Sequence, residues 1–126
     1  MAWFEFESDR FDHTSELPPD ANAGNRFYGR DVAAFIADGL AARGYTSDFL
    51  DEDWGWFVRA RSGSGTKLEI CIYHNIDEDP AATDSWTLNV EERARLGRRR
   101  EPGEPSRHAL EAVFRDEGIE IRPALR

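Results

Sequence analysis

The residue types best suited to chemistry lie close together in mid-chain, where Asp51, Glu52 and Asp53 directly precede the sequence Trp-Gly-Trp. Carboxylates at this density can ligate a hard metal ion or act as an acid and base pair. Their spacing does not match an EF-hand calcium loop, which requires alternating acids, a central glycine and a terminal glutamate. We therefore favour an exposed acidic turn over a metal site.

Trp54 and Trp56 are two residues apart, at the start of a predicted strand. Alternation along a strand would put both rings on the same face. An exposed pair would make a platform for a sugar, a base or a peptide, whereas a buried pair would belong to the core. Because both fall on the apolar face of a central hairpin, we favour the core.

A second acidic group, Asp77, Glu78 and Asp79, follows His74 closely. Histidine and carboxylates are common metal ligands, but one histidine in a local cluster favours a solvated or capping loop. Cys71 is the only cysteine, which excludes an internal disulfide and a cysteine-based zinc site. No GxSxG or HExxH motif occurs, so we predict no cofactor or metal and assign no catalytic residue.

The chain has one basic block, which could contact a phosphate backbone. Its members are Arg93, Arg95, Arg98, Arg99 and Arg100. Because the whole chain carries a formal charge of -9, we expect nucleic-acid binding only if this block provides it. A position between a strand and a helix favours arginines that are solvated or paired with acids.

A hairpin over residues 54–74 is the clearest structural signal. Apolar alternation places Val58 opposite Ile70, with a three-residue loop at 63–65 that has glycine in the left-handed position. The same register sets Arg59 opposite Glu69 on the outer face, where we predict an ion pair.

The remaining elements follow from periodicity. Residues 2–7 alternate as a strand, 8–24 form a long polar connection, and 86–90 alternate again. A helix within residues 25–43 would be capped by Asn25 and ended by Gly44, and a shorter one would end at Gly118. The predicted core is Phe35, Ile36, Leu40, Val58, Ile70, Ile72, Leu88, Leu110 and Phe114.

These elements predict one α+β domain over residues 1–126, with a mostly antiparallel sheet of about five strands and both helices on one face. No apolar run approaches the roughly 20 residues of a membrane helix. The first residues lack the basic region and apolar core of a signal peptide, so we expect a cytoplasmic protein that does not bind membranes.

Residues 26–45, RFYGRDVAAFIADGLAARGY, followed by DEDWGW at 51–56, resemble a pattern in small uncharacterised bacterial single-domain proteins. The shared features are a helix beginning Gly-Arg-Asp, a C-cap glycine and an acidic Asp-Trp-Gly-Trp segment. The resemblance covers about residues 25–58 and implies a bacterial domain, with no activity attached. Arginine in place of lysine, with Lys67 the one exception, is typical of high-GC bacterial or phage genes.

Two functions are compatible with these features. The first is a non-enzymatic acidic domain of bacterial or phage origin that binds a basic protein partner, as immunity proteins and inhibitors do. Its candidate binding residues are Asp51, Glu52, Asp53, Trp54, Trp56, Asp77, Glu78 and Asp79. The alternative is a small enzyme or ligand-binding domain with a pocket around Asp53, Trp54, Trp56 and His74. Close approach of Asp53 to His74 would favour the alternative.

Overall fold

The computed structural model describes residues 2–124, apart from the side chain of Asp77. Within this range the chain forms seven strands and two helices. In chain order they are β1 (Ala2–Glu7), α1 (Arg30–Ala41), β2 (Thr46–Glu52), β3 (Gly55–Arg61), β4 (Lys67–His74), β5 (Ser85–Arg93), β6 (Arg99–Arg100), α2 (Glu104–Arg115) and β7 (Arg122–Pro123).

The seven strands form one antiparallel sheet. Its order is β2-β3-β4-β5-β1-β7, and β6 pairs with β5 beside this path. The predicted α+β class and mostly antiparallel sheet are confirmed. Two strands exceed the expected number because β6 and β7 have two residues each, too few for alternation to mark them in a sequence.

The predicted hairpin register is confirmed, because Val58 pairs with Ile70 and Arg59 with Glu69. The predicted ion pair is wrong. Arg59 instead donates to Asp48 on β2, with Nε–Oδ1 and Nη2–Oδ2 distances of 3.0 and 2.8 Å. Asp48 lies opposite Arg59 on its other side and presents both oxygens to two guanidinium N–H groups, a bidentate geometry that strengthens the pair. Glu69 pairs with Arg93 of β5.

The helices end where the sequence predicts, but α1 begins later. Gly44 and Gly118 adopt φ of +92° and +76°, and the residue after each donates back into its helix. The first helical residue is Arg30, preceded by Gly29, so the prediction of Asn25 as N-cap is wrong. The side chain of Asn25 instead forms a hydrogen bond with the β2–β3 turn, described below.

One face of the sheet is covered and the other is open. Both helices contribute to a single core with the covered face, as predicted. Gly39 of α1 lets the helices cross closely, because a Cβ there would lie 2.5 Å from Cγ1 of Val113 in α2. The predicted core is confirmed except at Phe35, which is half-buried and packs edge-on against Phe11 and Phe114.

Truncation of a core residue tests this arrangement. Ile70→Ala should reduce the free energy of unfolding by about 2–5 kcal/mol, because it removes buried methyl groups from a fully enclosed site. The matched control is Leu96→Ala, at a side chain that is 99% exposed, where the change should stay within about 0.5 kcal/mol. Equal denaturation midpoints for the two variants would contradict the assigned core.

Candidate functional site

Antiparallel pairing brings three connections to the same end of the sheet. The β2–β3 turn and the β4–β5 connection share one end because successive antiparallel strands reverse direction. The β1–α1 connection starts beside them, since Glu7 pairs with Ser85 and the Ser8 N–H donates to the Asp84 carbonyl at 2.9 Å. We call these connections, together with the last two residues of β2, the acidic end, which comprises residues 8–29, 51–54 and 75–84.

The acidic end accounts for the net charge of the whole chain. These segments contain eleven of the 25 acidic residues but two of the 16 basic ones, a difference equal to the total charge of -9. The remaining fourteen acids and fourteen basic residues balance. Within the described residues, no group of three or more His, Cys, Asp or Glu is arranged to hold a metal ion.

The buried amide of Asn22 fixes the β2–β3 turn to the β1–α1 connection. Its Nδ2 donates to the carbonyls of Glu52 and Gly55, each at 2.8 Å, and its Oδ1 accepts from the Phe27 N–H at 2.8 Å. Its own N–H donates to Oδ2 of Asp51 at 3.0 Å. The side chain is 0% exposed, so these bonds are made where water cannot replace them.

The segment that carries Asn22 is strained. Asn22, Ala23 and Arg26 have φ of +52°, +55° and +58°, a left-handed conformation that is unfavourable for residues with a Cβ. A second amide supports the same turn, because Nδ2 of Asn25 donates to the Asp53 carbonyl at 2.7 Å. The connection keeps this conformation because its side chains bond to the turn.

The first three predicted binding residues lie at the β2–β3 turn. Asp51 and Asp53 are exposed, and Asp51 has the additional structural contact with Asn22. Glu52 is half-buried and alternates onto the open face of the sheet. The acids therefore point to different surfaces although they are consecutive in sequence.

The two tryptophans also separate, and the prediction that they share a face is wrong. Trp56 is 6% exposed, belongs to the core and donates from Nε1 to the Phe27 carbonyl at 2.9 Å. Trp54 packs against Phe57 and Tyr73 on the open face. The cause is a two-residue turn, with Glu52 paired to Gly55, whose φ of +154° interrupts the alternation.

The second acidic group has a mixed outcome. Glu78 and Asp79 are exposed, and Asp79 accepts a hydrogen bond from the Ala81 N–H at 3.0 Å, as expected for a capping loop. The side chain of Asp77 lies outside the described part of the structure.

His74 is buried on the covered face and stacks on Trp86, with ring centroids 4.4 Å apart. Its Nε2 lies 2.7 Å from the Thr83 carbonyl, which can only accept, so Nε2 carries the proton in this contact. Nδ1 is buried without a hydrogen-bond partner among the described residues. With Trp54 on the open face and His74 on the covered one, the structure does not assemble the predicted acidic and aromatic pocket.

A cavity of about 450 Å³ lies on the open face. Its lining residues are Glu52, Trp54, Phe57, Glu69, Cys71, Tyr73, Asn89, Glu91 and Arg99. Burial raises the pKa of the Cys71 thiol to about 11, so the thiol is protonated at neutral pH and is a poor nucleophile. Burial also raises the pKa of the Tyr73 hydroxyl. The charges in this cavity are therefore those of its three carboxylates and one guanidinium.

Three of the five arginines in the basic block are paired with acids, as predicted. Arg93 lies 3.5 Å from Glu69, and Arg99 lies 3.2 Å from Glu91. Arg100 donates from Nε to Oε2 of the buried Glu92 at 2.6 Å. These pairs partly neutralise the block and weaken the case for a phosphate-binding surface.

Asn22 and Asn25 are the residues that sequence patterns missed. Both lie in the segment ANAGN, which has no periodicity. The available signal was the tolerance of asparagine for left-handed backbone, which marks a turn but does not name its partner.

Comparisons of the chain with protein-family models, with curated proteins and with solved structures found no match. In the part of the chain that the structure describes, neither helix is long and apolar enough to cross a membrane.

Removing the Asn22 amide should destabilise the domain. We expect Asn22→Ala to reduce the free energy of unfolding by about 3–5 kcal/mol, because two carbonyls lose their donors and alanine is unfavourable at positive φ. Asn22→Gly separates these effects, since glycine tolerates the backbone but makes no side-chain bond. Asn25→Ala, which removes one exposed bond, should cost about 1 kcal/mol or less. Similar urea midpoints for Asn22→Ala and Asn25→Ala would refute the role of Asn22.

Glu92 should make stability depend on pH. Burial acts to raise the pKa of its carboxyl, but hydrogen bonds from Ser106 and Arg100 outweigh it and hold the pKa below the usual value. A depressed pKa means that this contribution is full above the unfolded pKa of about 4.3 and is lost as pH falls through the folded pKa.

Glu92→Gln should therefore be less stable than the native chain by about 2–4 kcal/mol at pH 7, with the difference narrowing as the pH is lowered. The control is Glu7→Gln, at an exposed acid 3.5 Å from Arg122, where about 0–1 kcal/mol is expected. The measurement is thermal or urea unfolding of the native chain and both variants, from pH 7 down through the folded pKa of Glu92. A difference that does not change with pH would contradict the assignment.

Proposed function

We propose that this domain is a non-enzymatic binding protein that docks through its acidic end onto a basic protein partner. The observation that supports the proposal is that the entire net charge lies in the acidic end, which consists of three connections and the last two residues of β2. A field of one sign on one surface steers a partner of opposite sign and raises its association rate.

The acidic end is also preorganised. Its central turn is held by Asn22 and Asn25, and its neighbouring connection is joined to β1 through Ser8 and Asp84. A surface that is ordered before binding loses less conformational entropy on association, which favours a tight complex. Exposed carboxylates on a rigid frame are suited to a docking surface.

Immunity proteins and inhibitors are the functional class that fits this design, with a basic enzyme such as a nuclease as the partner. The bacterial or phage origin and the cytoplasmic location expected from the sequence are consistent with that class and belong to the same proposal. The rival ligand pocket receives less support, because Trp56 and His74 face the core whereas Trp54 faces outward.

Neutralising the docking surface tests the proposal. The triple variant Asp53→Asn, Glu78→Gln and Asp79→Asn should slow association with a basic partner and flatten the salt dependence of the rate, because steering depends on these charges. The matched control Asp38→Asn, Glu104→Gln and Glu120→Gln makes the same change in net charge at exposed positions outside the acidic end.

The partner is first captured from the native host, and association is then measured by surface plasmon resonance at several salt concentrations. We expect thermal stability to be equal or higher in the docking variant, because exposed like charges repel one another. Equal rates for the docking variant and its control, or a large loss of thermal stability in the docking variant alone, would refute docking through the acidic end.

A further inference from the structure

The open-face cavity next to the acidic end combines aromatic rings with unbalanced negative charge. Trp54 meets Tyr73 with ring centroids 5.6 Å apart and Phe57 with centroids 6.2 Å apart. These rings form an aromatic corner on the sheet surface, and all three are half-buried. Partly exposed aromatic rings can bind cations through the negative faces of their π-systems.

The carboxylates of the cavity differ in whether they form ion pairs with arginines. Glu69 and Glu91 pair with arginines of this chain. Glu52, beside Trp54, forms no hydrogen bond or ion pair through its carboxylate among the described residues 2–124. It interacts electrostatically with Arg59, whose guanidinium donates its hydrogen bonds to Asp48. Among the described carboxylates that line the cavity, Glu52 is therefore the one that forms no ion pair, and it lies beside the aromatic corner.

Among the described residues that line the cavity, the one guanidinium is that of Arg99, at the opposite end. Arg99 contacts Glu91 and Glu69, and Glu69 precedes Tyr73 by four residues on β4, roughly 13 Å along the strand. Repulsion of an incoming cation by Arg99 is therefore weakened by distance and by its two carboxylate partners.

We propose, on the basis of the docking function above, that this corner receives a cationic side chain of the basic partner, arginine or lysine. A cation within about 6 Å of the Trp54 centroid can lie equally close to the Tyr73 centroid, since the two are 5.6 Å apart. Glu52 supplies the opposite charge. Cys71 and Tyr73 are neutral at physiological pH and bring no competing charge.

The same aromatic rings could in principle stack on the bases of a single-stranded nucleic acid. The charges oppose that ligand. In the described part of the chain, three carboxylates line the cavity against one guanidinium, so a phosphate backbone would be repelled where the bases would have to stack. A cationic side chain can contact the ring faces and the carboxylate of Glu52 at the same time.

The experiment uses a probe that does not require the partner. N-acetyl-arginine methylamide and the corresponding lysine derivative are titrated into the ¹⁵N-labelled protein, and the indole N–H of Trp54 and the amides of Glu52 and Tyr73 are followed by NMR. N-acetyl-citrulline methylamide is the matched neutral ligand, because it has nearly the shape of arginine without its charge. We expect a concentration-dependent shift of the Trp54 indole with at least one cation and at least about fivefold weaker binding of citrulline.

Variants assign the effect to the corner. Glu52→Gln and Trp54→Leu should each weaken binding of the cation about fivefold or more, whereas Glu120→Gln, with the same loss of one charge elsewhere, should leave it unchanged. Since Trp54→Leu could perturb folding, Glu52→Gln alone is decisive. Equal binding of citrulline, equal effects of Glu52→Gln and Glu120→Gln, or no response of Trp54 would each overturn the proposal. An oligothymidylate that shifts the Trp54 indole at lower concentration than the cations would also overturn it.

The two proposals fail separately. If the small cations leave the Trp54 indole signal unchanged while the docking variant still associates more slowly with the partner, docking stands without the aromatic corner. If the cations bind as expected but the docking variant associates at the same rate as its control, the corner stands as a cation site and docking through the acidic end fails.

Discussion

The buried amide of Asn22 is the interaction on which the arrangement of the acidic end and of the aromatic corner depends. One side chain bonds to both carbonyls that flank the Asp53–Trp54 turn and to the N–H of Phe27, so two segments about 30 residues apart become one unit. Because the amide is buried, losing these hydrogen bonds would leave polar groups unpaired and would reduce the free energy of unfolding. The left-handed backbone of residues 22 and 23 is sustained by these bonds.

The position of the net negative charge is determined by the topology of the sheet and not by a single acidic stretch of sequence. Acids occur throughout the chain, but strand pairing balances those in the strands against arginines, such as Asp48 with Arg59 and Glu92 with Arg100. The acids of the acidic end have few basic residues in the same segments, and antiparallel topology brings these segments to one end of the sheet. A net charge of -9 therefore becomes a local field, which is more useful for steering than the same charge spread evenly.

The sequence predicted what depends on periodicity and local turn chemistry. The register of Val58 with Ile70, the cap at Gly44 and every predicted core residue except Phe35 follow from patterns two to four residues long. The failures share another cause: Phe11 enters the core and Asn22 the turn from a segment without periodicity, and their partners are distant in sequence. Arg59 has an acid opposite it on each neighbouring strand, and the prediction considered only the one within the hairpin.

Gly55 shows how one backbone angle connects the core to the surface. With φ of +154° it turns Trp54 onto the open face while Trp56 remains in the core, and a Cβ at this position would lie 2.9 Å from the Ile72 carbonyl. Any other residue would strain the turn or displace β4, and the aromatic corner would change together with the carbonyl that Asn22 binds. The two neighbouring tryptophans therefore have different environments because of the glycine between them: Trp56 belongs to the core, and Trp54 packs against Phe57 and Tyr73 on the open face.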